Sequence, residues 1–121
     1  MYLIYVTYNS LDEAKSISRS LIENRLAACA NILPAHQSMY WWEGNIEEGE
    51  EVAVIYKTKP AVFDRFKDMC EELHSNDVPC IVALPIHDGH KPFLAWVAEH
   101  TGEVVSDESD SQDAKRNWIL E

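Results

Sequence analysis

Apolar and polar positions alternate along this chain in two different periods, and the switches between them mark out its elements. Tyr2-Leu3-Ile4-Tyr5-Val6-Thr7-Tyr8 is aromatic and β-branched throughout, so it reads as a central strand covered on both faces. Asn9-Ser10 breaks it. Ser10 followed three residues later by Glu13 forms a capping box with Ser10 as N-cap. Ala14, Ile17 and Leu21 then recur at helical spacing, with Lys15, Ser18, Arg19 and Glu23 facing water, and this helix ends near Asn24-Arg25. From Leu26 to Leu33 the chain reads as the first half of a long strand. Pro34 lies inside it and has no N–H to give a ladder, so the strand runs at a sheet edge or bulges there. It resumes at Gln37 and reaches Glu43. Gly44-Asn45 is the expected turn. Glu47-Glu48-Gly49-Glu50-Glu51 is the solvated start of the return strand, whose apolar part is Val52 to Thr58.

Lys59-Pro60 opens a second helix. Val62, Phe63, Phe66, Met69, Cys70 and Leu73 make its apolar face, and His74-Ser75-Asn76-Asp77 ends it. Cys80 to Ile86 reads as a buried-type strand, and Pro92 opens a short last helix through Glu99. The order β-α-β-β-α-β plus a short helix is the α+β, ferredoxin-like split βαβ arrangement, with a long hairpin in an antiparallel sheet. Residues 1–102 form this domain. Residues 103–121 are acidic and aperiodic, the composition of a flexible tail, with an apolar Trp118-Ile119-Leu120 at its end.

Trp41 and Trp42 are adjacent in a strand, so they point to opposite faces. They cannot both enter one core, and one of them needs a second chain to cover it. That predicts self-association through the hairpin.

Charge and composition narrow the function. The 121 residues carry 21 acidic against 10 basic side chains, a formal net charge of −11, which is the wrong balance for a phosphate-backbone partner. The third strand lacks the aromatic pattern of an RNA-recognition module. Gly44, Gly49, Gly89 and Gly102 are isolated, so there is no phosphate loop. Three cysteines, Cys29, Cys70 and Cys80, form no paired spacing and read as reduced thiols. No apolar run has membrane-spanning length and the first residues lack the pattern of a signal peptide, which predicts a cytoplasmic protein with no membrane partner. No nucleophile motif stands out, so no catalytic residue is assigned. Cys29 and His74, each at the end of an element, are the pair that would suit copper or zinc if they met at one rim.

Arg25-Leu26-Ala27-Ala28-Cys29-Ala30-Asn31-Ile32, then Ser38-Met39-Tyr40-Trp41-Trp42-Glu43-Gly44, Glu50-Glu51, Lys57-Thr58, Val78-Pro79 and Ala83-Leu84-Pro85-Ile86 closely resemble the CutA family of divalent-cation tolerance proteins over residues 2–101. The resemblance implies a ferredoxin-like domain assembled as a homotrimer like the PII signalling proteins. It also implies a cytoplasmic role in tolerance of copper(II) or another divalent metal, with no obligatory cofactor and no catalytic reaction. In copper-binding members the ligands include a cysteine of the first strand and a His-His-Pro-Tyr segment. Here those positions hold Val6 and Leu73-His74-Ser75-Asn76, so only His74 of that set is present; the expectation is weak Cu²⁺ binding through His74 with Cys29 or acidic residues nearby. The alternative is a PII-like signalling module that takes a small ligand in inter-subunit clefts, lined by Trp41, Trp42, Glu43 and Lys57.

Overall fold

The computed structural model describes residues 1–102; the expected tail with Trp118 lies outside the described residues. The elements are β1 (Tyr2–Tyr8), α1 (Leu11–Glu23), β2 (Cys29–Ile32), β3 (His36–Trp42), β4 (Asn45–Thr58), a single 3-10 turn (Pro60–Val62), α2 (Phe63–Leu73), β5 (Ile81–Pro85) and α3 (Lys91–Glu99). All strand pairings are antiparallel. The sheet order is β2-β4-β1-β5, and β3 pairs with the outer half of β4. This is the expected ferredoxin-like α+β fold with β1 and β4 at its centre.

The period-2 rule assigns the two faces of this sheet. Ile4, Val6, Tyr8, Val54 and Tyr56 are fully buried and pack with Ala14, Ile17, Leu21, Phe66 and Cys70 of α1 and α2 into one core. At its centre Tyr8 and Tyr56 share a hydroxyl–hydroxyl bond of 2.5 Å, and Ser18, expected to face water, is instead buried with its Oγ 2.7 Å from the Tyr56 hydroxyl. Burial keeps both phenols protonated, pushing Tyr56 up to about 12 and Tyr8 higher still. The alternate residues Leu3, Tyr5, Thr7, Ile55 and Lys57 are only half-buried. β1 is therefore covered on one face within the chain, not on both as its composition suggested.

Two further expectations are corrected. β2 is the edge strand that Pro34 called for, but it is not continuous with β3: the chain leaves the ladder at 33–35 and splits the expected long strand in two. The hairpin turn is Glu43-Gly44 rather than Gly44-Asn45. Both residues have positive φ (48° and 83°) and Trp42 pairs directly with Asn45, the geometry of a two-residue loop that matches strand twist.

The capping box at the start of α1 is present: Glu13 N–H donates to Ser10 Oγ at 3.1 Å. The Glu13 carboxylate reaches one residue further back than expected, accepting from Asn9 N–H at 3.2 Å. At the other end Arg25 takes φ 59°, a left-handed turn residue that is usually glycine. Its N–H bonds the Ile22 carbonyl, and Leu26 N–H bonds the Leu21 carbonyl. The Arg25 guanidinium donates to the carbonyls of Gly102 (2.9 Å) and Glu99 (2.7 Å), placing a cation at the C-terminus of α3. Arg25→Ala is expected to cost about 1–3 kcal/mol by losing two charge-assisted bonds. Urea denaturation of the variant measures it.

Candidate functional site

His74 follows α2 and is 7% exposed, sheltered because its ring stacks on Tyr8 (centroids 5.1 Å apart). Asn76 N–H donates to Nδ1 at 3.0 Å, so Nδ1 accepts and Nε2 carries the proton that it donates to the Thr7 carbonyl at 2.8 Å. Both ring nitrogens are occupied. The loop after His74 is tied to the start of α1: Ser75 N–H donates to Glu13 Oε2 at 3.0 Å, and the Asn9 side-chain amide donates to Ser75 Oγ and Asn76 Oδ1. Burial raises the Glu13 carboxyl, but the bonds from Ser75 and Asn9 and the nearby His74 outweigh it and hold Glu13 below the ordinary carboxylate range. A depressed carboxyl stabilises the fold above its unfolded pKa and loses that contribution as pH falls through the folded value. Stability should therefore decline as acidification passes below the normal carboxylate range, and more shallowly in Glu13→Gln. Thermal denaturation from pH 6 to pH 3 compares the two.

Cys29 lies elsewhere. It pairs with Lys57, which pairs with Leu3, so it sits on the helix-free face of the sheet, whereas His74 belongs to the helix-covered side. Along β1 the two levels, Leu3 and Thr7, are four residues or roughly 13 Å apart. The structure does not bring His74 and Cys29 together at one rim. Burial also pushes the Cys29 thiol up, with Lys57 opposing, which favours the thiol over the metal-binding thiolate. Cys70 is buried beneath Tyr8 and pushed up to about 11. No group of three or more His, Cys, Asp or Glu side chains is placed to hold a metal among the described residues. The four hairpin carboxylates divide by strand alternation, Glu47 and Glu51 to one face and Glu48 and Glu50 to the other. The His36 imidazole lies 4.0 Å from Glu51.

The other expected site residues fall at opposite ends of β4. Lys57, beside the sheet body, donates to the Asn31 side-chain oxygen. Trp42 and Glu43 close the far end, about 40 Å away at strand rise. They can meet Lys57 only in an assembly of several chains. Trp41 and Trp42 are both exposed, at 74% and 61%, so neither enters the chain's own core. Met39 and Ile46 beside them are also exposed. The helix-free sheet face carries Leu3, Tyr5 and Ile55, extended by Val82 and Leu84, which pair opposite Tyr5 and Leu3 and are 48% and 58% exposed. β5 is thus an edge strand with one bare apolar face, not the fully buried strand its composition predicted.

These features define a ferredoxin-like domain with one covered sheet face, one open apolar face and a projecting two-stranded arm. Residues 2–100 match the model of the CutA1 divalent ion tolerance protein family, and the chain belongs to that family. A divalent-cation tolerance protein CutA from Archaeoglobus fulgidus is 47% identical over 96 residues, covering 79% of this chain and 93% of that one. The solved CutA1 structure from Thermus thermophilus superposes with a TM-score of 0.82 at 40% identity, covering 84% of this chain and all of that one. An Archaeoglobus fulgidus structure with a TM-score of 0.80 at 44% identity, covering 83% of this chain and 98% of that one, is described as a periplasmic divalent cation tolerance protein. No helix among the described residues is long and apolar enough to cross a membrane.

Proposed function

We propose that this chain acts as a homotrimeric, non-catalytic member of its family in tolerance of divalent cations such as copper(II), in the cytoplasm. The observation that carries the assembly is the exposed apolar surface of Val82, Leu84, Trp41 and Trp42, with half-buried Tyr5 opposite Val82. A soluble chain gains most by burying such a surface against copies of itself. An open face on one side and an arm on the other make a heterologous contact, and such contacts close into rings when the rotation allows. The resemblance implies three chains in the ring. The family supports the cation role, while the tied imidazole of His74 and the raised Cys29 thiol place little affinity in a single chain. Any direct cation contact then depends on carboxylates that assembly brings together.

The arm is tested by truncation. Trp41→Ala and Trp42→Ala should each weaken association by about 2–4 kcal/mol, as central aromatic truncations do. Sedimentation equilibrium should show dissociation at higher protein concentration than for the wild type. Unchanged dissociation in both variants contradicts a role for the arm in assembly.

A further inference from the structure

Helix α3 carries apolar residues on two faces. Val97 and Ala98 are buried against the domain. Phe93, Trp96 and His100 recur at spacings of three and four, which places them together on another face. Their rings form a ladder: Phe93 stacks on Trp96 with centroids 5.8 Å apart, and Trp96 lies 4.8 Å from His100. His100 Nδ1–H donates to the Trp96 carbonyl at 2.9 Å, which holds that ring in place. Phe93 and Trp96 are nevertheless 38% and 39% exposed. Single exposed aromatics are ordinary, but a stacked strip along one helix is a preformed apolar surface. It belongs to neither the open sheet face nor the arm.

The chain itself supplies an occupant. Residues 103–121 lie beyond the part that the family shares and follow directly from α3. Gly102 is pinned beside Arg25, its N–H donating to the Arg25 carbonyl at 2.8 Å and its carbonyl accepting from the Arg25 guanidinium. The one aromatic residue after Gly102 is Trp118, followed by Ile119 and Leu120. From Gly102 back to the level of Trp96 is roughly 10 Å at helical rise. Residues 103–117 can span up to roughly 50 Å, so the triplet reaches the strip with length to spare. A tether of that length holds it near the helix at an effective concentration on the order of millimolar.

Charge chooses the direction. Lys115-Arg116 precede the triplet and Glu121 follows it. Run antiparallel to α3, the segment sets Lys115 and Arg116 by Glu99 and the negative end of the helix. It sets Glu121 by Lys91 and the positive end, which carries no side-chain cap. The parallel direction sets like charges together at both ends. From this juxtaposition we propose that Trp118-Ile119-Leu120 docks, antiparallel to the helix, on the face formed by Phe93, Trp96 and His100 of the same chain. The contact lies within one chain, so it stands or falls independently of the proposed trimer.

Trypsin cuts after Lys115 and Arg116, and cleavage there tracks the undocked fraction. The test digests the full-length wild type, Trp96→Ala and Phe93→Ala, and follows loss of residues 117–121 by mass spectrometry. Neither substitution alters the sequence around the cut. Both variants are expected to lose the segment at least tenfold faster than the wild type, while cleavage after Arg65 and Lys67 in α2 stays at the wild-type rate. Leu120→Asp, outside the domain and so without effect on its fold, should match them. A wild type cut as fast as Leu120→Asp, or a Leu120→Asp effect that Trp96→Ala and Phe93→Ala do not reproduce, would overturn the docking site. Trp96→Ala and Leu120→Asp chains mixed in urea and refolded together should each be cut at their separate rates. Protection restored by mixing would place the segment on another copy and overturn docking within the chain.

Discussion

Val82→Glu combined with Leu84→Glu is expected to convert the proposed trimer to single folded chains. Both side chains project from the helix-free face of β5 and are about half exposed within one chain, so the monomer tolerates the carboxylates. Buried between chains, an unpaired carboxylate costs several kcal/mol, and two per interface exceed what most associations hold in reserve. The far-ultraviolet dichroism should stay that of the wild type while light scattering falls to the mass of one chain. A double variant that keeps the wild-type mass would place the interface elsewhere.

His74→Ala is expected to destabilise the chain by about 2–4 kcal/mol while leaving its Cu²⁺ isotherm unchanged. The magnitude follows from what the ring holds: a stack on Tyr8, an acceptor for Asn76 N–H and a donor to the Thr7 carbonyl. Removing it leaves two part-buried backbone groups without their partner and opens a void against Tyr8. The unchanged isotherm follows from the same geometry, since an imidazole with both nitrogens engaged must break native bonds before it binds a metal. Calorimetry and denaturation of one preparation give both numbers. A weakened Cu²⁺ isotherm would restore His74 as a ligand.

Most of the architecture was legible because it rests on local signals. The helical spacing of Ala14, Ile17 and Leu21, the Ser10 cap and the β-branched runs in β1 and β4 each dictate an element without long-range information. The ferredoxin-like order followed from their succession. The errors share another cause: composition reports how apolar a residue is, not what covers it. β1 and β5 read as buried strands, yet one face of each is bare in a single chain. The same ambiguity allowed one of the two tryptophans to be assigned to the core when both project from the arm. Arg25 was visible only as a helix end. Its left-handed turn and its grip on α3 depend on Glu99 and Gly102, which are distant in sequence.

The placement of the two expected metal ligands was least legible. Cys29 and His74 each end an element, and sequence alone cannot tell two ends of one rim from two faces of one sheet. The register settles their places, with Cys29 beside Lys57 on one face and His74 beneath the loop on the other.

The assembly is the centre of this account, because the open face, the arm and the family all bear on it. Size-exclusion chromatography with multi-angle light scattering on the wild-type protein at micromolar concentration tests it most directly. The predicted result is a single peak at three times the 13.9 kDa chain mass. A peak at the mass of one chain would contradict it.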